Sequence, residues 1–177
     1  LAQQLSAYLT KVVEPVELVS SLDDSTASGR VADLLDEVAS LSAGRVSHVR
    51  TGDATRRPSF RVVRAGTDVE VEFAGLPLGH EFTSLVLALL QVGGHPSTAA
   101  ADLLDAVRGL TGEHRFETYF SQSCQNCPDV VQALNLMSVL NPGISHVAID
   151  GAVFPGEVEQ RGVLAVPMVF RNGELFG

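Results

Sequence analysis

Apolar and polar positions alternate between two periods along the chain, which predicts strands and helices in turn. Residues 16–20 and 45–50 form short apolar or alternating runs of strand length. Between them, apolar residues recur at positions 31, 34, 35, 38 and 41, the spacing of an amphipathic helix over 25–41. This order predicts two parallel strands joined by a right-handed crossover.

A hairpin and a helix complete this first unit. We expect strands at 58–63 and 69–73, joined across Ala65-Gly66, followed by a helix at 81–92 that Gly93-Gly94 ends. A further helix is expected at 1–13.

The second half repeats the same order. The predicted helices are 97–107, 127–140 and a short one at 154–161, and the predicted strands are 116–120, 144–149, 168–170 and 174–176. The last two strands flank Asn172-Gly173, a strong signal for a two-residue hairpin.

The two halves align with each other, which indicates an internal duplication. Residues 16–20 match 116–120 at an offset of 100, and 57–60 match 166–169 at an offset of 109. The nine extra residues fit the short helix at 154–161, which the first half replaces with a loop. We therefore expect an α/β fold of two tandem units, 1–95 and 96–177, each with a mixed sheet and packed into one block. The offset of 100 places Asp24 and Ala27 opposite the two cysteines of the second half.

Those two cysteines, Cys124 and Cys127, are the only ones in the chain, and Pro128 follows them at the start of a predicted helix. A thiol at a helix N-terminus is favoured as thiolate, and a second thiol one turn on can close a short disulfide. The pair therefore predicts thiol–disulfide exchange. Half of a zinc site is one alternative, but zinc needs four ligands and the five histidines are scattered. Two inert buried cysteines are the other, against which the preceding strand and Pro128 argue.

Composition narrows the class of partner. The formal net charge is −9 and the densest basic pair is Arg56-Arg57, which argues against nucleic acid and anionic membranes. No apolar run approaches 18 residues and no signal peptide is visible, so we expect a cytoplasmic location, where a single cysteine pair is typically catalytic. Without a Gly-x-Gly-x-x-Gly motif, we expect no FAD or NADH on this chain itself.

A Cys-x-x-Cys followed by Val166-Pro167 resembles the thioredoxin fold, in which that proline is cis beside the dithiol; an ordinary edge-strand proline is the alternative. Two such units with one dithiol resemble the N-terminal domain of the alkyl hydroperoxide reductase flavoprotein subunit. The resemblance covers nearly the whole chain and is strongest in three runs: 79–87 (GHEFTSLVL), 116–119 (FETY) and 126–135 (NCPDVVQALN).

This resemblance implies a role in electron transfer. In that family the domain takes electrons from a C-terminal flavoprotein module of the same polypeptide, which uses FAD and NADH, and reduces the disulfide of a peroxiredoxin. We therefore expect the chain to be the N-terminal piece of a longer, homodimeric protein. The second unit would lack a final helix equivalent to 81–92.

The resemblance also assigns residue roles. Cys124 would attack the partner disulfide, Cys127 would resolve the mixed disulfide, and Pro167 would pack against the pair. Thioredoxin has an acid six residues before its first cysteine, but this chain has Thr118 there. The family motif places Glu81 near the dithiol instead, as proton acceptor for Cys127 within about 8 Å; the alternative is a glutamate that stabilises its helix start.

Two other functions stay open from the sequence. One is a glutaredoxin-like reductase that takes electrons from glutathione. The other is a non-catalytic thioredoxin-like interaction module, in which the disulfide is structural or regulatory.

Overall fold

The computed structural model describes residues 2–177. Its helices are α1 (Ala2–Leu9), α2 (Thr26–Leu41), α3 (Phe82–Val92, after a 3₁₀ turn at Gly79–Glu81), α4 (Ala101–Arg108), α5 (Cys127–Leu140) and α6 (Pro155–Arg161). Its strands are β1 (Val16–Ser21), β2 (Val46–Arg50), β3 (Ser59–Arg64), β4 (Glu70–Ala74), β5 (His114–Phe120), β6 (Ile144–Asp150), β7 (Met168–Arg171) and β8 (Glu174–Leu175).

All eight strands form one sheet in the order β2-β1-β3-β4-β6-β5-β7-β8. In the first half β2 and β1 run parallel and β3 and β4 add antiparallel strands; β6, β5, β7 and β8 repeat that pattern. The halves meet where β4 pairs in parallel with β6. This pairing satisfies backbone groups that two separate sheets would leave at exposed edges. The expected α/β fold of tandem units is confirmed, with one continuous sheet instead of two packed ones.

The main core crosses from one half into the other. It joins Leu18 and Leu85 to Phe120, Cys127 and Val131, all at most 1% exposed. The halves therefore share apolar packing as well as the sheet. No helix within residues 2–177 has the length and apolar character needed to cross a bilayer.

Two predicted helices are shorter than expected. Of the helix expected at 1–13, residue 1 lies outside the described residues and the rest ends at Leu9, because the N–H groups of Val13 and Glu14 both bind the carbonyl of Gly93 and hold that segment extended. The helix expected at 97–107 begins only at Ala101. The Ser97 hydroxyl accepts the Ala99 N–H at 3.1 Å, a local bond that favours a turn over a helix.

Strand register also corrects the offset between the halves. Ser59 pairs with Ser21, and its counterpart Met168 pairs with Tyr119, so Ser21 corresponds to Tyr119 at an offset of 98. The predicted offset of 100 is wrong by two residues. Because successive side chains of a strand alternate between faces, a slip of two returns every side chain to the same face. The hydrophobic pattern therefore fits both offsets equally well.

Candidate redox site

The dithiol lies at the start of α5, with one cysteine exposed and the other buried. Cys127 is the first residue of the helix and is fully buried, whereas Cys124 is partly exposed and precedes the helix. A disulfide joins them, with their Cα atoms 5.5 Å apart. The Cys124 Sγ accepts the Cys127 N–H at 3.1 Å, one of the N–H groups a helix start leaves without an internal partner. Once reduced, Cys124 would be favoured as thiolate by this donor.

Pro167 lies beside the exposed cysteine. The Val166–Pro167 peptide bond is cis, as the resemblance implies. The carbonyl oxygen of Val166 lies 3.8 Å from the Cys124 Sγ, and the Val166 side chain packs against the same apolar cluster as Cys124. The loop before β7 thus presents its backbone next to the sulfur that an incoming disulfide would meet.

Glu81 is a buried acid whose carboxyl oxygens have no hydrogen-bond partner among the described residues. Its residue is 0% exposed. Burial raises the pKa of its carboxyl above the ordinary value, and the neighbouring Ser84 hydroxyl opposes only part of that rise. Glu81 stands at the N-cap of α3, but its side chain makes no capping hydrogen bond. The helix-start interpretation therefore has no hydrogen bond to support it.

The turn that carries Glu81 is pressed against the loop that carries Cys124. The His80 N–H donates to the carbonyl of Gln122 at 3.0 Å. A Cβ on Gly79, whose φ is +59°, would lie 2.5 Å from that same carbonyl oxygen, so only glycine permits this approach. Helix α3 then packs against α5. First-unit residues thus lie directly against the dithiol loop.

A buried hydrogen-bonded chain occupies the place where thioredoxin has its acid. The His146 ring bonds Thr118 Oγ1 through Nε2 at 2.8 Å and Asn135 Oδ1 through Nδ1 at 2.7 Å. Because the amide oxygen only accepts, Nδ1 carries the proton and Nε2 accepts from Thr118. Burial lowers the pKa of His146 to about 3, so the ring is neutral.

Sequence reasoning missed this chain, although the sequence carries a signal for it. At the offset of 98, His146 corresponds to His48 and Thr118 to Ser20. In the first unit the His48 ring bonds Ser20 Oγ and Asp36 Oδ1, both at 2.7 Å. The correct offset would have aligned the two histidine triads.

The first-unit counterparts of the cysteines are Ser25 and Ser28, and the alignment with Asp24 and Ala27 is wrong. The Ser28 N–H donates to Ser25 Oγ at 3.1 Å, the same bond that the Cys127 N–H makes to Cys124 Sγ. Ser28 is buried on its helix as Cys127 is on α5. The first unit therefore has the geometry of the dithiol site with hydroxyls in place of thiols, and hydroxyls cannot exchange disulfides.

The zinc alternative finds no support in the geometry. Within residues 2–177, no group of three or more histidine, cysteine, aspartate or glutamate side chains is placed to hold a metal ion. Both sulfurs are committed to the disulfide.

Comparison with known proteins follows the same lines. No protein-family model matches the chain. In Pseudomonas putida, the alkyl hydroperoxide reductase protein known as the F subunit, is 59% identical to it over 177 residues, covering 100% of this chain and 34% of that protein. The Escherichia coli K12 protein of the same name is 55% identical over 174 residues, covering 98% of this chain and 33% of the relative. The chain thus spans about a third of the length of these curated relatives.

A solved structure extends the likeness to three dimensions. The NTD_N/C domain of alkylhydroperoxide reductase AhpF from Enterococcus faecalis superposes with a TM-score of 0.88 at 29% identity, covering 99% of this chain and 91% of that domain. By sequence and by structure, the chain belongs with the N-terminal, tandem thioredoxin-like domains of the alkyl hydroperoxide reductase flavoprotein subunit.

Proposed function

We propose that this chain is a thiol–disulfide oxidoreductase that relays electrons to the disulfide of a peroxiredoxin. One observation carries the proposal: a partly exposed Cys124 and a fully buried Cys127 meet at a helix start beside Pro167. This asymmetry gives one sulfur to attack a protein disulfide and one to release it. In the longer protein, FAD and NADH in the C-terminal module would supply the electrons, as a homodimer in the cytoplasm, in support of hydroperoxide reduction.

The exchange itself needs only this chain and the partner disulfide. The Cys124 thiolate attacks one sulfur of that disulfide, the partner's S–S bond breaks, and its leaving sulfur takes up a proton. Cys127 then loses its proton and attacks the Cys124 Sγ, which releases the second partner sulfur as thiolate. The partner gains two electrons and, after protonation, two thiols, while the Cys124–Cys127 disulfide forms.

We assign the proton acceptor for Cys127 to Glu81. Cys127 has no exposed surface through which bulk water could take its proton. Glu81 is buried, lacks a competing hydrogen bond among the described residues, and lies on the turn that packs against the dithiol loop. Its raised pKa brings the carboxylate closer to the pKa of a thiol, which makes proton transfer between them more favourable.

The division of labour follows from the two sites. Residues 96–177 carry the exchanging sulfurs and Pro167, and residues 1–95 contribute Glu81 and a redox-inert Ser25-x-x-Ser28. In this proposal the first unit serves the second unit's chemistry without exchanging electrons itself.

The test is electron transfer from the isolated chain, reduced beforehand with a small dithiol, to oxidised peroxiredoxin in a stopped-flow instrument. We expect rapid transfer without NADH oxidation, and capture of the peroxiredoxin as a mixed disulfide by the Cys127→Ser variant. Turnover with glutathione as rapid as with a dithiol donor would favour the glutaredoxin-like alternative. Peroxiredoxin binding that persists in a double Cys→Ser variant, with cellular peroxide reduction unchanged, would favour the interaction module.

A further inference from the structure

We infer that Arg56, from the first unit, is a positioning residue for the loop that presents Pro167 in the second. It would hold α6, and through α6 residues 162–167, so that the loop keeps its place beside Cys124. The inference rests on the proposed function, because it concerns how the same site receives a partner protein.

Arg56 bridges two second-unit elements. Its Nε lies 3.1 Å from both carboxylate oxygens of Glu157 on α6, and its Nη2 lies 2.6 Å from Glu157 Oε1 and 2.5 Å from Glu117 Oε2 on β5. The side chains are only 26%, 22% and 19% exposed, respectively. A forked guanidinium between two half-buried carboxylates is the geometry that arginine, and not lysine, can supply.

The bridge continues through α6. The Tyr119 hydroxyl donates to Glu157 Oε1 at 2.6 Å, and Arg161 contacts both Glu117 Oε1, at 3.0 Å, and the Tyr119 hydroxyl, at 3.2 Å. Burial and the bond to Glu157 raise the pKa of Tyr119 to about 12, so it keeps its proton and remains a donor. These contacts fix both ends of α6 against the sheet.

From α6 the chain runs directly to the dithiol. The Val163 N–H donates to the Val158 carbonyl at 3.0 Å, which ties the segment after α6 back to that helix. Val158, Val163 and Val166 pack against one cluster that includes Tyr119. Val166 then places its carbonyl 3.8 Å from Cys124 Sγ. A displacement of α6 would therefore shift the backbone that an incoming protein disulfide meets.

The first half has a reason to supply this contact. Where the second half has α6, the first has only residues 51–58, with no regular structure before β3. That short segment leaves the Arg56 side chain room to reach α6 across the sheet. Glu157 and Glu117 then receive their charge partner from outside their own unit.

The experiment compares Arg56→Gln with Arg61→Gln, whose guanidinium pairs with the exposed Glu70 and does not contact α6. We expect Arg56→Gln to raise the KM for oxidised peroxiredoxin by about tenfold, since small misplacements far from the reacting atoms cost that much or more. The rate with the small disulfide 5,5′-dithiobis(2-nitrobenzoate) should stay unchanged. Hydrogen exchange at the Val163 amide should quicken in Arg56→Gln only.

The outcomes separate cleanly. An unchanged KM and unchanged Val163 exchange would overturn the inference, as would an equal loss with the small disulfide, which points to general destabilisation. If wild type transfers nothing to peroxiredoxin, the proposed function fails, while the Val163 exchange still decides whether Arg56 holds the loop. Should Arg56→Gln not fold, Arg56→Lys keeps the charge without the fork and should show the same effects at smaller size.

Discussion

The two halves of the sheet carry the same site twice, once with sulfur and once with oxygen. Ser25 and Ser28 repeat the backbone hydrogen bond of Cys124 and Cys127 at the same 3.1 Å. Each half also has a proline at the corresponding place, Pro58 or Pro167, after a cis peptide bond. The shared geometry is therefore that of the fold, and only the side-chain atoms decide which half does chemistry.

The halves differ in what surrounds the pair. In the first unit, Asp23 accepts bonds from the Ser25 and Ser28 hydroxyls, and those bonds lower the pKa of Asp23 to about 2. In the second unit, Glu81 is buried with a raised pKa and no partner among the described residues. A satisfied carboxylate stabilises a static turn, whereas an unsatisfied one is available to accept a proton.

The largest test of this contrast is removal of the sulfur. Cys124→Ser gives the second unit the chemistry of the first, so we expect electron transfer to peroxiredoxin to be abolished. Cys127→Ser should accumulate the mixed disulfide, because nothing remains to resolve it. Ser25→Ala should keep the wild-type transfer rate. Transfer by Cys124→Ser at the wild-type rate would refute the mechanism.

The role of Glu81 gives the next largest effect. Glu81→Gln removes the proton acceptor while preserving shape, so decay of the mixed disulfide should slow by about ten- to a hundredfold. The first attack by Cys124 should be unaffected. Glu70→Gln, on the exposed pair with Arg61, is the matched control. An unchanged decay would leave Glu81 without a catalytic role.

The same variant sharpens the comparison through stability. Burial raises the folded-state pKa of Glu81, so the stability of wild type is lost as pH rises through that pKa, where a buried carboxylate must ionise. Glu81→Gln should therefore be more stable than wild type at pH 8, with the difference fading at pH 4 and below. Urea unfolding at both pH values measures this. A constant difference would show that Glu81 does not titrate in its buried site.

How far the sequence predicts this molecule depends on the kind of signal. Periodicity predicts the strands and helix α5, which begins at Cys127 and ends at Leu140 as expected, because side-chain burial repeats with each element's period. It cannot fix the offset between the halves, because a strand shifted by two residues buries the same face. Contacts between elements far apart in the chain, such as Arg56 with Glu157, leave no local pattern at all.

The histidine triads offer a smaller test of the comparison. His146 is buried with a folded-state pKa of about 3, against about 6.5 when unfolded, so wild type should lose stability as pH falls through that window. The loss should approach about 1.4 kcal/mol per pH unit. His146→Gln lacks this titration, and its stability should fall less steeply between pH 6.5 and 4. His48→Gln is the control from the first unit, and an equal change of slope in both variants would contradict the assignment.

The smallest expected effect on stability comes from giving the first unit its own dithiol. In the Ser25→Cys/Ser28→Cys variant the new sulfurs should replace two side chains already joined through the Ser28 N–H. Mild oxidation should then close a second disulfide, seen by mass spectrometry as the loss of four hydrogens from the reduced chain. Because the closed loop has only four residues, the change in unfolding free energy should stay below about 2 kcal/mol.

The matched control is Asp24→Cys/Ala27→Cys, the pair that an offset of 100 selects. Ala27 lies on α2 beyond its Ser25 N-cap, and no described hydrogen bond joins residues 24 and 27 as one joins 25 and 28. This variant should therefore lose only the two hydrogens of the native disulfide. Closure in the control but not in the serine pair would restore the offset of 100 and remove the first-unit site from the comparison. Closure in the serine pair alone would show that two side chains separate the inert site from a dithiol.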